Sequence, residues 1–435
     1  MFSAPLLLTF FGALAQPFPG SLQVQAGEPV TAARQDKARA IASTPLGSDS
    51  PLDWAFDAVS KMPLRPHVKT RSRLQADLVQ AALDAGRLGD AGHWAARIDN
   101  WRQGLALAHI AVFHAQHGDV AAAGTAIEAA EAFEATILAE EDQGWRRDRV
   151  RVRIAEAYAL LGNTTMAATI QAAATPSESG RLAAMAVRTV DDADAGQQME
   201  TLEAIAKTGD LEQARFALLA MGEFYGRALE LAAPAGIPAQ VPAEINKAKA
   251  ILNPEAIEAR IRAAWTELPI EPRIDILERM VDFDIQWKAT QRAHAHAAEV
   301  GRLVLDNRWN PEQGVALRAR VSELLQRADD TKAARVMANS ALALYDTSRE
   351  GIVNIFRGEA LRPVAEAYLA LGDSATATVV YERALEEALV NPNSRPRAAD
   401  LAMTAISATT APGYKMPKSL LKAFRKAEKG IGAPW

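Results

Sequence analysis

The chain has 435 residues, of which 49% are hydrophobic and 23% are charged, so it is long enough and apolar enough to bury a large core. Its net charge of −5 argues against a protein built mainly to bind nucleic acid, because such proteins usually carry a strongly basic domain. The absence of cysteine excludes disulfides, thiolate catalysis and cysteine-ligated zinc.

The N-terminal segment has the pattern of an export signal. Leu6–Leu14 is a short apolar run, and the sequences ALA at 13–15 and VQA at 24–26 offer two small-residue cleavage sites. We therefore predict a signal peptide over residues 1–26 and an exported protein, either periplasmic or secreted. The first basic side chain is Arg34, so the charged segment that normally precedes the apolar run is missing. If the run is an ordinary N-terminus instead, a cytoplasmic location follows.

Proline positions divide the rest of the chain, because proline is excluded from helix interiors. No proline occurs between His67 and Thr175, whereas six fall between Pro234 and Pro272. Strand-like alternation is scarce. The predicted segments are an irregular N-terminal extension (27–66), N-terminal helical repeats (67–231), a proline-rich irregular connection containing one helical pattern (232–272), C-terminal helical repeats (273–410) and a basic C-terminal capping helix or tail (411–435).

Recurring turn points mark internal repeats. The sequence AEAYALLGN at 155–163 returns as AEAYLALGD at 365–373. A glycine tolerates the left-handed conformation that ends a helix, and the Asp or Asn after it can cap the next helix. Helix pairs of this kind bury their apolar faces by stacking, which predicts a solenoid. The predicted turn points are Gly86, Gly118, Gly162, Gly209, Asp284, Ala328 and Gly372.

Three histidines form the closest cluster of possible metal ligands in the sequence. His109, His114 and His117 fall within nine residues. At about 100° per residue, only His114 and His117 are neighbours on a helix. Two histidines need further ligands and supporting contacts to hold a metal ion. We therefore favour packing residues in a helix–turn–helix over a metal site. His294 and His296 are two residues apart, so they cannot chelate together, and we predict one packing and one surface residue.

The segment WRRDRVRVR at 145–153 contains five arginines between Arg146 and Arg153. Arginine makes bidentate contacts with carboxylates and phosphates, so the segment could bind an anion or an acidic partner. The favoured interpretation is a solvated helix start, with the acids at 140–142 as counter-charges.

The C-terminal segment is basic, and Leu420, Leu421, Phe424 and Ala427 fall on one helical stripe. Such a helix could lie on a membrane surface. A helix that caps the end of the solenoid is the favoured interpretation.

The chain resembles the tetratricopeptide-repeat family. Weaker matching units lie at 148–174 and 104–130, and the strongest unit is Gly358–Leu389. At family-like spacing this unit contains Val364-Ala365, Tyr368, Gly372-Asp373, Ala377, Tyr381 and Ala384. The resemblance implies an all-α fold, a right-handed superhelical solenoid of antiparallel helix pairs, and a role in protein–protein interaction.

The resemblance also implies which residues bind a partner, because the inner face in this family comes mainly from the first helix of each pair. A mixture of arginine and glutamate there suggests a polar groove for a peptide or protein, although a solvated face would look the same. The residues that this register places on the inner face are Arg149, Val152, Glu156, Arg318, Ser322, Gln326, Arg362 and Glu366.

Catalytic signatures are missing from the sequence, including the P-loop, H-E-x-x-H and G-x-S-x-G patterns. We therefore predict a non-enzymatic interaction scaffold with no cofactor, no metal ion, no nucleic-acid partner and no membrane span, but with possible self-association. Two alternatives stay open: a helical-toroid enzyme acting on a polysaccharide, and a structural component of an envelope assembly. A buried acid pair with raised pKa values would favour the enzyme, and an open arginine-lined groove the scaffold.

Overall fold

The computed structural model describes residues 49–137, 144–173, 195–232, 253–266 and 268–435. These residues form helices and contain no strand, which confirms the predicted all-α class. None of the described helices is both long enough and apolar enough to cross a membrane. The signal peptide predicted over residues 1–26 lies outside the described residues.

In chain order the helices are α1 (Pro51–Ser60), α2 (Leu64–Asp84), α3 (Leu88–Ala95), α4 (Arg102–Gln116), α5 (Val120–Glu134), α6 (Gly144–Leu160), α7 (Thr164–Ala172), α8 (Ala195–Thr208), α9 (Leu211–Ala232), α10 (Pro254–Ala264), α11 (Ile270–Gln286), α12 (Thr290–Leu305), α13 (Pro311–Arg327), α14 (Thr331–Ser348), α15 (Asn354–Ala370), α16 (Ser374–Leu389), α17 (Ser394–Thr410) and α18 (Lys418–Lys429). A short 3-10 turn, Arg349–Gly351, follows α14.

The described helices belong to two compact units. The first contains α3 to α7, and the second contains α1, α2 and α8 to α18. This division differs from the predicted halves at 67–231 and 273–410, because the boundaries fall near Gly86 and Thr175. Periodicity located the helices but could not show which of them share a core.

Part of the extension predicted to be irregular over 27–66 is helical. Pro51 sits at the first position of α1, where its missing N–H costs no helical hydrogen bond. Ser50 and Asp53 form a reciprocal capping box at the same end. The proline therefore starts a helix here, and the prediction of an irregular segment is corrected for residues 51–60.

Backbone conformation fixes the true repeat register. Positive φ values confirm the predicted turns at four glycines, whereas Gly209 does not adopt this conformation. The turns predicted at Asp284 and Ala328 are wrong, because the left-handed residues are Lys288 and Asp329. Asp284 lies inside α11 and is fully buried. Among the described residues, the left-handed residues between paired helices are Gly86, Gly118, Gly162, Lys288, Asp329 and Gly372, and Gly413 adopts the same conformation between α17 and α18.

In the first unit, α4 packs against α5 and α6, and α6 packs against α7. Ile110, Ile127 and Ile154 are buried in this core. A Cβ atom added at Gly104 would lie 2.8 Å from the Phe133 ring, so glycine permits the close approach of α4 to α5.

In the second unit, α11, α13 and α15 are followed by α12, α14 and α16, each of which packs against the helix before it. We call α11, α13, α15 and α17 the first helices, because α13 also packs directly against α11 and α15, and α15 against α17. The paired helices are 16 to 18 residues long. This length accounts for a repeat step above the roughly 34 residues of a tetratricopeptide unit.

Helices from both ends of the described chain meet in the second unit, where α1 packs against α17 and α18. The Arg425 guanidinium lies 4.0 Å from the Trp54 ring centroid, and Lys61 forms a 2.6 Å ion pair with Glu428. Phe424 is fully buried on the apolar stripe of α18. Protein therefore covers much of this stripe, which favours a capping helix over a membrane-surface helix.

A missing helix cap provides a test of the register. Asp330 and Asp373 each accept a hydrogen bond from the backbone N–H three residues on, at 3.0 and 3.1 Å. Ala289 occupies the same N-cap position before α12. Its backbone angles (φ −82°, ψ 58°) are close to those of Asp373 (φ −92°, ψ 68°), but its side chain cannot accept a hydrogen bond. We expect Ala289→Asp to raise the free energy of unfolding by about 1 kcal/mol in urea denaturation. Ala289→Asn should do nearly the same, and no gain from either variant would contradict the assigned turn.

Candidate functional site

The eight residues predicted to line a groove are divided between the two units. Arg149, Val152 and Glu156 lie on α6 of the first unit. Arg149 is exposed and its guanidinium lies 5.0 Å from the Trp145 ring centroid. Glu156 is buried and forms a 2.6 Å ion pair with Arg153, so it is not an open anchor for a partner. The structure therefore does not place all eight residues in one described site.

On α13 the predicted face is wrong. Arg318 donates a 2.9 Å hydrogen bond to Ser340 of α14, and the fully buried Ser322 donates to the Ala334 carbonyl at 2.8 Å. Both side chains thus face α14. The turn is centred on Asp329 instead of one residue earlier, and a one-residue error rotates a helical face by about 100°.

With the register corrected, an acidic side chain recurs on three successive first helices. Asp282, Glu323 and Glu366 each lie six residues before the left-handed residue of their own repeat. We call these three residues the acid row. Glu366 was among the predicted groove residues, whereas Asp282 and Glu323 were missed because the predicted turns were misplaced.

The arginines beside the acid row are already engaged. Arg327 pairs with Asp282, and Arg320 pairs with Asp275 and Glu278 of α11. Further along, Arg362 pairs with Asp400 of α17 at 2.9 Å. Within the part of the chain that the structure describes, no ion pair to Glu323 or Glu366 is formed.

Glu323 and Glu366 are half-buried and influence one another. Burial raises the pKa of Glu366, and the Ser407 hydrogen bond and the Arg362 charge oppose this only in part. Burial also raises the pKa of Glu323, and the Glu366 charge raises it further. Two adjacent carboxyl groups with little counter-charge therefore tend to hold a proton near neutral pH.

Ser407 connects the acid row to the core. Its hydroxyl donates to Glu366, so the hydroxyl of the fully buried Tyr381, 2.8 Å away, donates to Ser407. Burial and the Glu366 charge raise the pKa of Tyr381, which keeps this donor protonated. This chain of hydrogen bonds fixes one side of the site.

Two buried acceptor atoms near the acid row lack donors. The Glu278 carboxyl is only 6% exposed; its Oε2 pairs with Arg320, but its Oε1 has no hydrogen-bond partner. The Glu278 charge is among those that raise the pKa of Glu323. Gln326 Oε1, one helical turn from Glu323, is also buried without a donor.

Burial raises the pKa of the Glu278 carboxyl to about 7, although the Arg320 charge opposes the shift.

The acid row should make stability depend on pH. A carboxyl group whose pKa is raised on folding stabilises the protein at low pH, and this contribution is lost as pH rises through the folded-state pKa. We expect Glu323→Gln to raise the free energy of unfolding by about 1–2 kcal/mol at pH 8.5, and by much less near pH 5. Urea denaturation at both pH values measures this. Glu350→Gln, at an 83% exposed carboxylate, should have little effect, and equal effects of the two variants would contradict the assignment.

A second buried polar cluster surrounds His296 on α12. Its Nδ1 lies 2.7 Å from Asp284 and its Nε2 lies 3.2 Å from Glu258, while Tyr225 donates to Asp284 at 2.6 Å. Burial lowers the pKa of His296, but the two carboxylates outweigh burial and raise it to about 9. With both ring nitrogens engaged, this histidine stays protonated and acts as a structural cation rather than a general base.

The three clustered histidines, two on α4 and His117 at its C-cap, are packed or locally bonded. Burial, together with the Arg153 charge, lowers the pKa of His109 to about 3. His114 lies 3.5 Å from Asp119, and His117 stacks on Phe113 with ring centroids 4.1 Å apart. Among the described residues, no group of three His, Cys, Asp or Glu side chains is arranged to hold a metal ion.

The arginine cluster of α6 is partly neutralised within the first unit. Arg147 and Arg151 both pair with Glu134 of α5. The Arg146 guanidinium lies 5.5 Å from the Trp145 ring centroid, and Trp145 meets Trp101 edge-on with centroids 5.3 Å apart. The counter-charges expected at 140–142 lie outside the described residues. Anion binding by this cluster stays a prediction.

A cleft of about 550 Å³ lies elsewhere in the second unit. None of its lining residues belongs to the acid row or to the His296 cluster. The lining residues are Ala206, Lys207, Gly209, Leu211, Ala263, Ala264, Thr266, Leu268 and Pro269.

Comparisons of this chain with protein-family models, with curated proteins and with solved structures found no match.

Proposed function

We propose that this protein is a helical-repeat binding module that holds a peptide or a segment of a partner protein along the first helices of its second unit. The observation that supports the proposal is the acid row. Asp282, Glu323 and Glu366 lie at equivalent positions of three stacked repeats, and two of them have no cationic partner among the described residues.

Burying the carboxyl groups of Glu323 and Glu366 without a cation costs free energy. A half-buried carboxyl group without a cation destabilises the free protein, whereas a ligand that supplies hydrogen-bond donors recovers this cost on binding. A face built on packed helices is also pre-formed, so little ordering free energy is lost when a partner binds. A segment lying across several repeats could contact equivalent positions in turn.

The test is site-specific photo-cross-linking in the native cells. A photoreactive amino acid replaces Arg327, which is 44% exposed beside the acid row. The matched control replaces Val379 on α16, which is 62% exposed. We expect one protein to be linked reproducibly at position 327 and not at 379, and mass spectrometry to identify it. The purified partner segment should then bind the purified protein.

Failure of the identified segment to bind in purified form would contradict the proposal. Equal linking at positions 327 and 379, or no linking at 327 at native expression, would contradict it as well. Links between two copies of this chain at position 327 alone would instead identify the face as a self-association surface.

The same acids are a pair with raised pKa values, the feature predicted from the sequence to favour an enzyme, so they support a second candidate function, a hydrolase. A carboxylic acid whose pKa is raised toward neutrality can serve as a general acid. Most glycosidases cleave the glycosidic bond with a pair of carboxyl groups. Incubation of the purified protein with a panel of acidic and neutral polysaccharides, followed by assay of reducing ends, tests this candidate. Activity must disappear in Glu366→Gln; no release from any polysaccharide would count against the candidate.

A further inference from the structure

We propose that Glu323 and Glu366 bind a cationic side chain, a lysine ammonium or an arginine guanidinium, supplied by the partner. This inference rests on the proposed binding function and names the ligand chemistry of that same site. It follows from a local excess of acceptors over donors on α11, α13 and α15.

The arginines on α13 and α15 near these acids pair with other carboxylates. Asp282 has Arg327, Asp400 has Arg362, and Asp275 shares Arg320 with Glu278 and also pairs with Arg215 at 2.7 Å. The side-chain partner of Glu366 is the neutral Ser407 hydroxyl. Arg320, Arg327 and Arg362 therefore each pair with other acids. Among the residues that the structure describes, none of these three arginines forms an ion pair with Glu323 or Glu366.

Two other buried acceptor atoms in this region have no hydrogen-bond donor. Glu278, which is 94% buried, has one carboxyl oxygen without a donor, and its charge acts on Glu323. The buried Gln326 Oε1 also lacks a donor. Buried acceptors are normally hydrogen-bonded, so two that are not, close to an unneutralised acid, indicate a site that takes hydrogen-bond donors.

A lysine or arginine head group has the shape and the donors that this set of acceptors requires. Lysine and arginine carry three and five N–H donors at the end of an apolar stem, so one head group can serve several acceptors at once. Both are always donors near neutral pH, and charge-assisted hydrogen bonds to carboxylates are the stronger kind. When such a group enters, the negative form of the acids is favoured, so a proton held by the pair is released to solvent.

The experiment measures binding of hexalysine and hexaarginine by isothermal titration calorimetry, with fully acetylated hexalysine and hexacitrulline as uncharged probes. We expect binding of at least one cationic peptide, no binding of either uncharged probe, and proton release near pH 7 seen as a dependence of the heat on buffer ionisation enthalpy. Glu323→Gln with Glu366→Gln should weaken binding about tenfold or more and abolish the proton release. The stronger of the two cationic peptides identifies the head group.

The control removes the same charge elsewhere, with Glu255→Gln and Glu350→Gln at carboxylates that are 65% and 83% exposed. If the control variant loses as much affinity for the cationic peptides, the weakening comes from the lower net negative charge and not from the site, and the inference is overturned. Absence of binding by wild-type protein, binding of the uncharged probes, or competition by Ca²⁺ would overturn it too. If a partner is still linked at position 327, the binding function survives and only the cationic ligand is wrong; if that linking also fails, both proposals fall.

Discussion

Replacing Asp284 by alanine should lower the free energy of unfolding by about 3–5 kcal/mol, because the change leaves a buried cation without its closest anion. Asp284 is fully buried, lies 2.7 Å from His296 and accepts a 2.6 Å hydrogen bond from the Tyr225 hydroxyl. Urea denaturation at pH 7 measures the loss. Asp282→Ala is the matched control on the same helix; its pair with Arg327 is exposed and should contribute about 1 kcal/mol or less.

The pH profile separates this charge network from simple packing. The pKa of His296 rises from 6.5 to about 9 on folding, so its stabilising contribution is complete below pH 6.5 and is lost as pH rises through about 9. Asp284→Asn keeps the side-chain volume but lowers the folded-state pKa of His296, so the decline above pH 6.5 should be smaller and should end at lower pH. A variant whose stability ran parallel to wild type between pH 6 and 10 would contradict a charged His296.

Replacing Arg320 by alanine should cost about 3–4 kcal/mol at pH 8 because two buried carboxylates share this guanidinium. Its Nη2 lies 2.9 Å from Asp275 and also contacts Glu278. The pKa of Glu278 is raised to about 7, so below this pH the acid is protonated and the cost of losing Arg320 should shrink. Denaturation midpoints at pH 6 and pH 8 measure the difference.

A second substitution makes this prediction specific. Glu278→Gln in the Arg320→Ala background removes the uncompensated charge and should recover a large part of the loss at pH 8, whereas Asp275 keeps Arg215 as a partner. Arg327→Ala, at a 44% exposed guanidinium, should cost about 1 kcal/mol or less. A double variant no more stable than Arg320→Ala alone would show that packing, not charge, governs this position.

Local patterns were reliable where a single helix or turn carried the information. The recurring glycine and Asp or Asn predicted turns at Gly118, Gly162 and Gly372, and each is left-handed in the structure. The second-half turns failed because Lys288 and Asp329 adopt this conformation without being glycine. Non-glycine left-handed residues are uncommon, and no local pattern marked these two.

The candidate site shows how a small register error propagates. The register of Glu366 was counted from Gly372, which is the left-handed residue of its repeat, and a role for Glu366 in binding stays a prediction. On α13 the one-residue error selected Arg318 and Ser322, which bond to α14, and passed over Glu323 and Arg327. Face assignments on helices therefore depend on the turn residue more than on the helix boundaries.

The sequence by itself determined the helical class and most of the turns in the first unit, because hydrophobic period, helix stops and caps are local properties of the chain. Only the tertiary structure decided which helices share a core, that residues near 51–60 pack with the C-terminal helices, and that His296 lies between Glu258 and Asp284. Those contacts join residues far apart in sequence. Their energies depend on burial and on the charges that other helices bring close, and neither quantity is encoded in a local pattern.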